Sequence, residues 1–401
     1  SGFRFCVISS AGMFLGALVG GIIGDKTGRR NAFILYEAIH IASMVVGAFS
    51  PNMDFLIACR FVMGVGLGAL LVTLFAGFTE YMPGRNRGTW SSRVSFIGNW
   101  SYPLCSLIAM GLTPLISAEW NWRVQLLIPA ILSLIATALA WRYFPESPRW
   151  LESRGRYQEA EKVMRSIEEG VIRQTGKPLP PVVIADDGKA PQAVPYSALL
   201  TGVLLKRVIL GSCVLIAMNV VQYTLINWLP TIFMTQGINL KDSIVLNTMS
   251  MFGAPFGIFI AMLVMDKIPR KTMGVGLLIL IAVLGYIYSL QTSMLLITLI
   301  GFFLITFVYM YVCYASAVYV PEIWPTEAKL RGSGLANAVG RISGIAAPYA
   351  VAVLLSSYGV TGVFILLGAV SIIVAIAIAT IGIETKGVSV ESLSIDAVAN
   401  K

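Results

Sequence analysis

Eleven apolar stretches, most of them near or above the roughly 20 residues that carry a helix across a bilayer, dominate this chain. They run about 5–24, 31–50, 54–79, 89–116, 123–144, 208–234, 243–265, 273–291, 294–320, 333–357 and 361–383. Only 12% of the 401 residues are charged and 57% are hydrophobic, where a soluble domain carries about 25% charged residues. A soluble fold of this size cannot hide so much apolar surface. A membrane barrel would show short alternating segments, and these runs do not alternate. The sequence predicts an all-α integral membrane protein, with the lipid bilayer as its first partner.

Charge placement orients the spans. Lys26, Arg29 and Arg30, then Arg85 and Arg87, the segment 142–207, Lys267, Arg270 and Lys271, Lys329 and Arg331, and Lys386 fall in every second connector. The other connectors contain Lys241, with Arg123 just past one border. By the positive-inside rule the first set is cytoplasmic. The net charge of +9 is therefore read as topology and not as a nucleic-acid surface. An odd number of spans and a cytoplasmic C-terminus put the start of span 5–24 outside. We expect an earlier span to precede Ser1, making twelve. Five cysteines, at 6, 59, 105, 213 and 313, lie inside apolar runs without metal-ligand spacing and are expected to be small core residues.

The polar stretch after span 123–144 divides the chain. We expect an N-terminal bundle over 1–144, a cytoplasmic linker over 145–206, a C-terminal bundle over 207–385 and a cytoplasmic tail over 386–401. Within the linker, 156–169 reads as an amphipathic helix and 177–195 as a flexible connection.

The two bundles repeat one pattern. Asp25-Lys26-Thr27-Gly28-Arg29-Arg30 returns as Asp266-Lys267-Ile268-Pro269-Arg270-Lys271, 241 residues later. The same offset places Gly12 and Gly16 on Gly253 and Gly257. Glu80-x-x-Pro83 falls on Glu322-x-x-Pro325, Arg87-Gly88 on Arg331-Gly332, and Pro145-Glu146-Ser147 near Ile383-Glu384-Thr385. The chain reads as a duplicated six-helix unit with like-oriented halves, a transporter plan whose substrate site lies between the halves near the midplane. Gly12, Gly16, Gly20 and Gly24 form a small-residue stripe against which another helix can pack closely. The charged turns are expected to act as gating clasps through Asp25, Arg29, Glu80 and Arg87 in one half and Asp266, Arg270, Glu322 and Arg331 in the other.

GDKTGRR at Gly24–Arg30, RFVMGVG at Arg60–Gly66, FTEYMPGRNRG at Phe78–Gly88, PESPRWL at Pro145–Leu151, PEIWPTEAKLRG at Pro321–Gly332 and IETKG at Ile383–Gly387 resemble the signatures of the major facilitator superfamily. They are most similar to its sugar-porter-like branch of bacterial metabolite:proton symporters, and closely resemble inner-membrane metabolite transporters of enteric bacteria. The resemblance implies two parallel six-helix bundles, alternating access and proton-driven uptake of a sugar, polyol or organic acid. It also implies an acidic partner for Arg60, on the span expected before Ser1, that couples protons to transport. The chain departs from sugar porters at Ala217-Met218-Asn219 with a single Gln222, and at Ser95. Asn219–Pro230 and Gly340-Arg341 look more like the branch carrying organic ions and vitamins such as nicotinate.

Polar side chains within spans are the candidate substrate ligands, since each needs a partner in a bilayer. Asn219, Gln222, Tyr223, Asn227 and Trp228 cluster in one span, with 219, 223 and 227 on one face. Asn99 and Trp100 are the candidates of the first half. Tyr311 and Tyr314 share a face, as do Asn337 and Arg341. An alternative is a uniporter or organic-anion carrier built on Arg341, whose planar fork suits a carboxylate. Arg93 is expected to snorkel. His40 and Glu37 share span 31–50, where His40 is expected to pack and a proton relay is the alternative. A sensor that binds without flux, with 145–206 as its output, is the reading from another class. An enzyme is excluded by the lack of a nucleophile–base pair. The expected partners are a small-molecule substrate and protons, without cofactor, metal or nucleic acid, in a monomer.

Overall fold

The computed structural model describes residues 2–81, 87–176, 178–179, 196–235, 237–265, 267–291, 293–324 and 328–385. Within them, the side chains at 2–7, 18, 21–22, 25, 72, 75–81, 87–92, 149, 153, 196, 235, 240 and 329–331 lie outside the description. The expected linker 177–195 falls almost wholly outside it, as does the tail 386–401.

Every expected span is helical. In chain order the helices are α1 (Gly2–Thr27), α2 (Arg29–Ala48), α3 (Met53–Tyr81), α4 (Arg87–Asn99), α5 (Ser101–Leu112), α6 (Ala118–Tyr143), α7 (Pro148–Ser153), α8 (Tyr157–Thr175), α9 (Tyr196–Leu199), α10 (Gly202–Thr235), α11 (Leu240–Met251), α12 (Gly253–Val264), α13 (Arg270–Ser289), α14 (Met294–Val312), a π-helical turn (Cys313–Tyr319), α15 (Val320–Glu322) and α16 (Lys329–Ile381). Among the described residues there is no strand. The fold is that of a two-bundle, all-α membrane protein.

Two spans break just before a proline. Pro103 and Pro255 lack the N–H that would bond the carbonyl four residues back. Those carbonyls belong to Asn99 and Met251, the last residues of α4 and α11. There span 89–116 divides into α4 and α5, and span 243–265 into α11 and α12. The last two spans instead run on as α16, turned at Gly359, whose φ of 66° suits a residue without Cβ.

The chain forms two compact units, one of residues 1–84 and 119–190 and one of 85–118 and 191–401. The division differs from the expected 1–144 and 207–385, because span 89–116 belongs with the later spans. Aromatic contacts explain the grouping: Phe96 meets Phe259 with ring centroids 6.1 Å apart, Trp100 meets Phe252 at 6.3 Å, and Tyr102 meets Tyr309 at 5.3 Å. The two proline breaks thus sit side by side.

In the first unit, the glycine stripe of α1 packs on α3. A Cβ on Gly16 would lie 2.8 Å from Val65 Cα, and one on Gly20 2.6 Å from Ala69 Cα. Such backbone proximity is what small-xxx-small faces provide in lipid, where dispersion holds helices together. The second unit repeats the device, with Gly253 and Gly257 seated on the backbone of α14 around Phe302 and Thr306. Outward, α6 exposes Ile131, Leu132, Leu134, Ile135, Leu139 and Trp141, an apolar face suited to lipid chains. Of the cysteines, Cys59 and Cys313 are buried as expected, but Cys213 is half-buried and Cys105 is exposed. The amphipathic helix spans 157–175 as α8, packed through Ala160 and Val163 on Trp150 and Leu151.

Candidate functional site

The charged turns come first. Arg270 is 5% exposed. Its guanidinium reaches Glu322 by two bonds, Nε at 3.0 Å and Nη2 at 3.2 Å, and donates through Nη1 to the Met265 carbonyl. Thr385 donates to the same Glu322 carboxylate at 2.6 Å. The helix begins beneath them. Glu384 accepts from the backbone N–H groups of Arg270 at 2.8 Å and Lys271 at 3.1 Å, so a carboxylate caps α13 at its positive end. Tyr319 accepts from Ile383 N at 3.0 Å and fixes the segment that brings Glu384 there.

The first unit builds the same cap. Glu146 accepts from Arg29 N at 2.6 Å, Arg30 N at 3.2 Å and Ser147 N at 3.0 Å through one oxygen, and from Arg30 N at 3.3 Å through the other. Arg29 donates to the Gly24 carbonyl at 3.0 Å, the counterpart of Arg270 on Met265, and Arg30 reaches the Trp141 carbonyl. Gly28 precedes the helix at φ 97°, and a Cβ there would lie 2.8 Å from the Glu146 carboxyl carbon. Of the expected gating residues, Arg29, Arg270 and Glu322 are in these constellations. The side chains of Asp25, Glu80, Arg87, Asp266 and Arg331 lie outside the described residues. Glu146 and Glu384 were missed as clasp members. The repeated Pro-Glu-Ser and Ile-Glu-Thr was the signal for them.

The second unit gathers polar and aromatic side chains from α5, α10, α11, α14 and α16. Asn219 is 6% exposed and donates to Leu215 O at 2.8 Å, lodged where α16 offers Gly340 and Gly344. The ring of Tyr223 lies on Gly344. Tyr102 and Tyr309 meet edge-on, with Gln222 and Tyr223 next to them. Asn247 donates to Ser106 at 3.3 Å. In this unit the buried Trp228 Nε1 and Asn247 Oδ1 have no hydrogen-bond partner among the described residues, and neither do polar atoms of Ser212, Thr224, Tyr288, Tyr314 and Trp324; Tyr309 Oη lies beside Tyr102 and Gln222. Buried polar groups are normally satisfied, so Asn247, beside Ser106 of α5, is a candidate ligand. Tyr102, Ser106, Asn247 and Tyr309 were not singled out from sequence.

Other candidates stand elsewhere. Tyr311 is 1% exposed and its hydroxyl donates to Val214 O at 3.1 Å, a strap between α14 and α10. Tyr314 is wholly buried, stacked on Tyr319 with ring centroids 5.0 Å apart. Both expected substrate residues are thus packed in the core; the periodicity could not show that the neighbouring Tyr309 faces the polar cluster. Asn227 and Asn337 are exposed, Asn337 bonding Ser333 O at 2.9 Å. Asn99 bonds Ser95 O at 2.7 Å, and Trp100 is 41% exposed between Phe96 and Phe252. Arg93 is exposed. Arg341 is half-buried and makes no hydrogen bond or ion pair among the described residues.

In the first unit, Arg60 lines a cavity of about 670 Å³ with Ser50, Asn52, Trp122, Arg123 and Gln125. His40 Nδ1 lies 3.3 Å from Met63 O on α3, which is a packing position.

Residues 5–348 match the family model described as Major Facilitator Superfamily. The chain is 99% identical over 397 residues to YdjK of Escherichia coli strain K12, described as a metabolite transport protein, covering 99% of this chain and 86% of YdjK. It is 45% identical over 385 residues to the inner membrane metabolite transport protein YdjE of the same organism, covering 96% of this chain and 84% of YdjE. Among solved structures, the xylose transporter XylE from E. coli in a partially occluded inward open conformation aligns with a TM-score of 0.76 at 18% identity, over 96% of this chain and 88% of that one.

Proposed function

Because the chain belongs to the Major Facilitator Superfamily, we propose that it moves a small polar metabolite across the inner membrane by alternating access, driven by a proton gradient. Membership makes it a membrane transporter and not an enzyme. The observation that supports a polar substrate is the gathering of Tyr102, Gln222, Tyr223 and Tyr309, with Asn247 Oδ1 buried and unpartnered among the described residues beside Ser106. Hydroxyl and amide groups among aromatic rings suit a hydroxylated or amide-bearing molecule with one apolar face. Asn219, Gln222, Tyr223 and Asn247 are the residues we assign to its recognition. The clasps Glu322–Arg270–Glu384 and Arg29–Glu146 hold the cytoplasmic turns closed in one state and part in the other. The C-terminus is on the cytoplasmic side.

A thermal-shift screen of purified protein against sugars, polyols and aromatic carboxylates tests the substrate class. Uptake into proteoliposomes with and without an imposed pH gradient tests the coupling. Hits confined to apolar compounds, or uptake indifferent to the gradient, would overturn the respective part.

A second reading is favoured by Arg341. A half-buried arginine at membrane depth needs a counter-ion, and none is present among the described side chains. A carboxylate substrate supplies one, held through both nitrogens of the fork. Arg341→Gln should then abolish uptake of a carboxylate but spare that of a neutral polyol. Equal loss of both would argue for a structural arginine.

A further inference from the structure

We propose that Glu37, on α2, is a proton-loading site within the first unit; its place in the transport cycle rests on the proton-driven reading above. Glu37 stands eight residues into α2, about 12 Å along the helix at 1.5 Å per residue. It is 8% exposed, and its Oε2 is fully buried without a hydrogen-bond partner among the described residues. An ionised carboxylate in that setting costs several kcal/mol or more. The group therefore carries a proton in this conformation.

Among the described residues, what faces Glu37 does not supply a counter-charge. On its own helix, Tyr36 donates to the Gly20 carbonyl of α1 at 2.9 Å, and His40, one turn outward, approaches Met63 O of α3. Arg60 of α3 lies on the His40 side, near enough to act on that imidazole. Toward the cytoplasm, Arg29 and Arg30 are engaged with Glu146 and with the Gly24 and Trp141 carbonyls. Just past the end of α6, Phe144 meets Phe33, and Leu126 of α6 packs near Met44. Between these two contacts α6 offers Ser133 and Thr137, and the Thr137 hydroxyl already donates to Ser133 O at 2.8 Å. Between Leu126 and Trp141 α6 carries no ionisable side chain; Arg142 and Tyr143 follow at its cytoplasmic end, with the Arg142 guanidinium 5.8 Å from the Tyr143 ring centroid.

The duplication supplies an independent argument. Helices α2 and α13 each have 20 residues and start at the matched positions Arg29 and Arg270. Glu37 falls on Leu278 and His40 on Ile281, which are 0% and 2% exposed. The frame of this helix accepts a buried aliphatic residue at that register, so the carboxyl is not there to hold the fold. A group dispensable for packing and costly when charged suits reversible protonation. On loading, one carboxylate oxygen takes a proton from hydronium and releases water; on unloading, water takes that proton back and Glu37 becomes anionic once α2 and its neighbours give it access.

Infrared spectroscopy of the purified protein in lipid reads this without a substrate. Wild type should show the carbonyl stretch of a protonated, weakly hydrogen-bonded carboxyl at neutral pH, lost reversibly as pH rises. Side-chain carbon-13 labelling of glutamate should shift the band. Glu37→Gln should lack it. Glu37→Leu, which copies the Leu278 register, should fold and lack it too. A wild type without the band, a band kept in both variants, or a band fixed at every pH would overturn the proposal. Gradient-driven uptake is measured separately, so an uncoupled transporter would refute the coupling and leave the titration standing.

Discussion

Replacing Glu384 by Gln tests whether the carboxylate cap holds the start of α13. The glutamate accepts from Arg270 N through one oxygen and Lys271 N through the other. Glutamine keeps one acceptor and places an NH2 where the second was, so a donor faces the Lys271 N–H. One bond to a charged acceptor is lost, about 1.5–3 kcal/mol, together with about 0.3–1 kcal/mol of attraction to the helix end. The group is half-buried, and water returns part of this, leaving about 2 kcal/mol. In a unit of roughly 245 residues that shifts Tm by about 4–8 °C. The twin substitution behaves differently. Glu146 takes its three shorter bonds through a single oxygen, and the other receives only the bond at 3.3 Å. Glu146→Gln can keep the better oxygen in place and should cost about half as much. Thermal unfolding of the detergent-purified variants measures both. A Glu384→Gln variant melting with wild type, or a larger loss at Glu146, would refute the assignment of these carboxylates as caps.

The tyrosines of α14 should separate by role. Tyr311→Phe loses the bond to Val214 O and should destabilise by about 1 kcal/mol without changing ligand affinity. Tyr309→Phe removes a hydroxyl beside Tyr102 and Gln222, so Kd for the screen's best ligand should rise about 2- to 10-fold with no more than about 1 kcal/mol of stability lost, checked by calorimetry. Gly16→Ala drives a methyl against the backbone of Val65 and should cost about 1–3 kcal/mol, whereas Gly276→Ala meets nothing within 4 Å and should melt with wild type. Glu322→Gln removes the carboxylate that Arg270 Nε and Nη2 bond. Because Glu322 is about a third exposed, the loss should stay near 1–2 kcal/mol in the same melting assay.

Most of the fold was legible because its determinants are local. Span length and apolarity fix a transmembrane helix, and a four-residue glycine period fixes its contact face. The breaks at Asn99 and Met251 were not legible, because Pro103 and Pro255 orphan the carbonyl four back no more than Pro129, Pro230 and Pro348 do inside unbroken helices. The site was less legible. Which of Tyr309, Tyr311 and Tyr314 lies beside the polar cluster depends on which helix lies opposite, and here Tyr102 of α5 meets Tyr309. Glu146 and Glu384 look like soluble turn residues until a helix terminus is placed within 3 Å of them.

The duplication sorts the polar residues further. Arg29, Gly12, Gly16 and Glu146 have counterparts in Arg270, Gly253, Gly257 and Glu384, and all of these form helix caps or close helix contacts in their own unit. Both copies face one packing problem, and the same residue solves it twice. Glu37 and His40 have the aliphatic counterparts Leu278 and Ile281. Arg341 falls on Ile97 when Arg331 is set on Arg87, and Ile97 is 71% exposed. An arginine required by the frame would be required in both copies. Its occurrence in one alone fits a residue selected for what it binds, which is why Arg341 and Glu37, and not the repeated clasps, should govern substrate charge and proton binding.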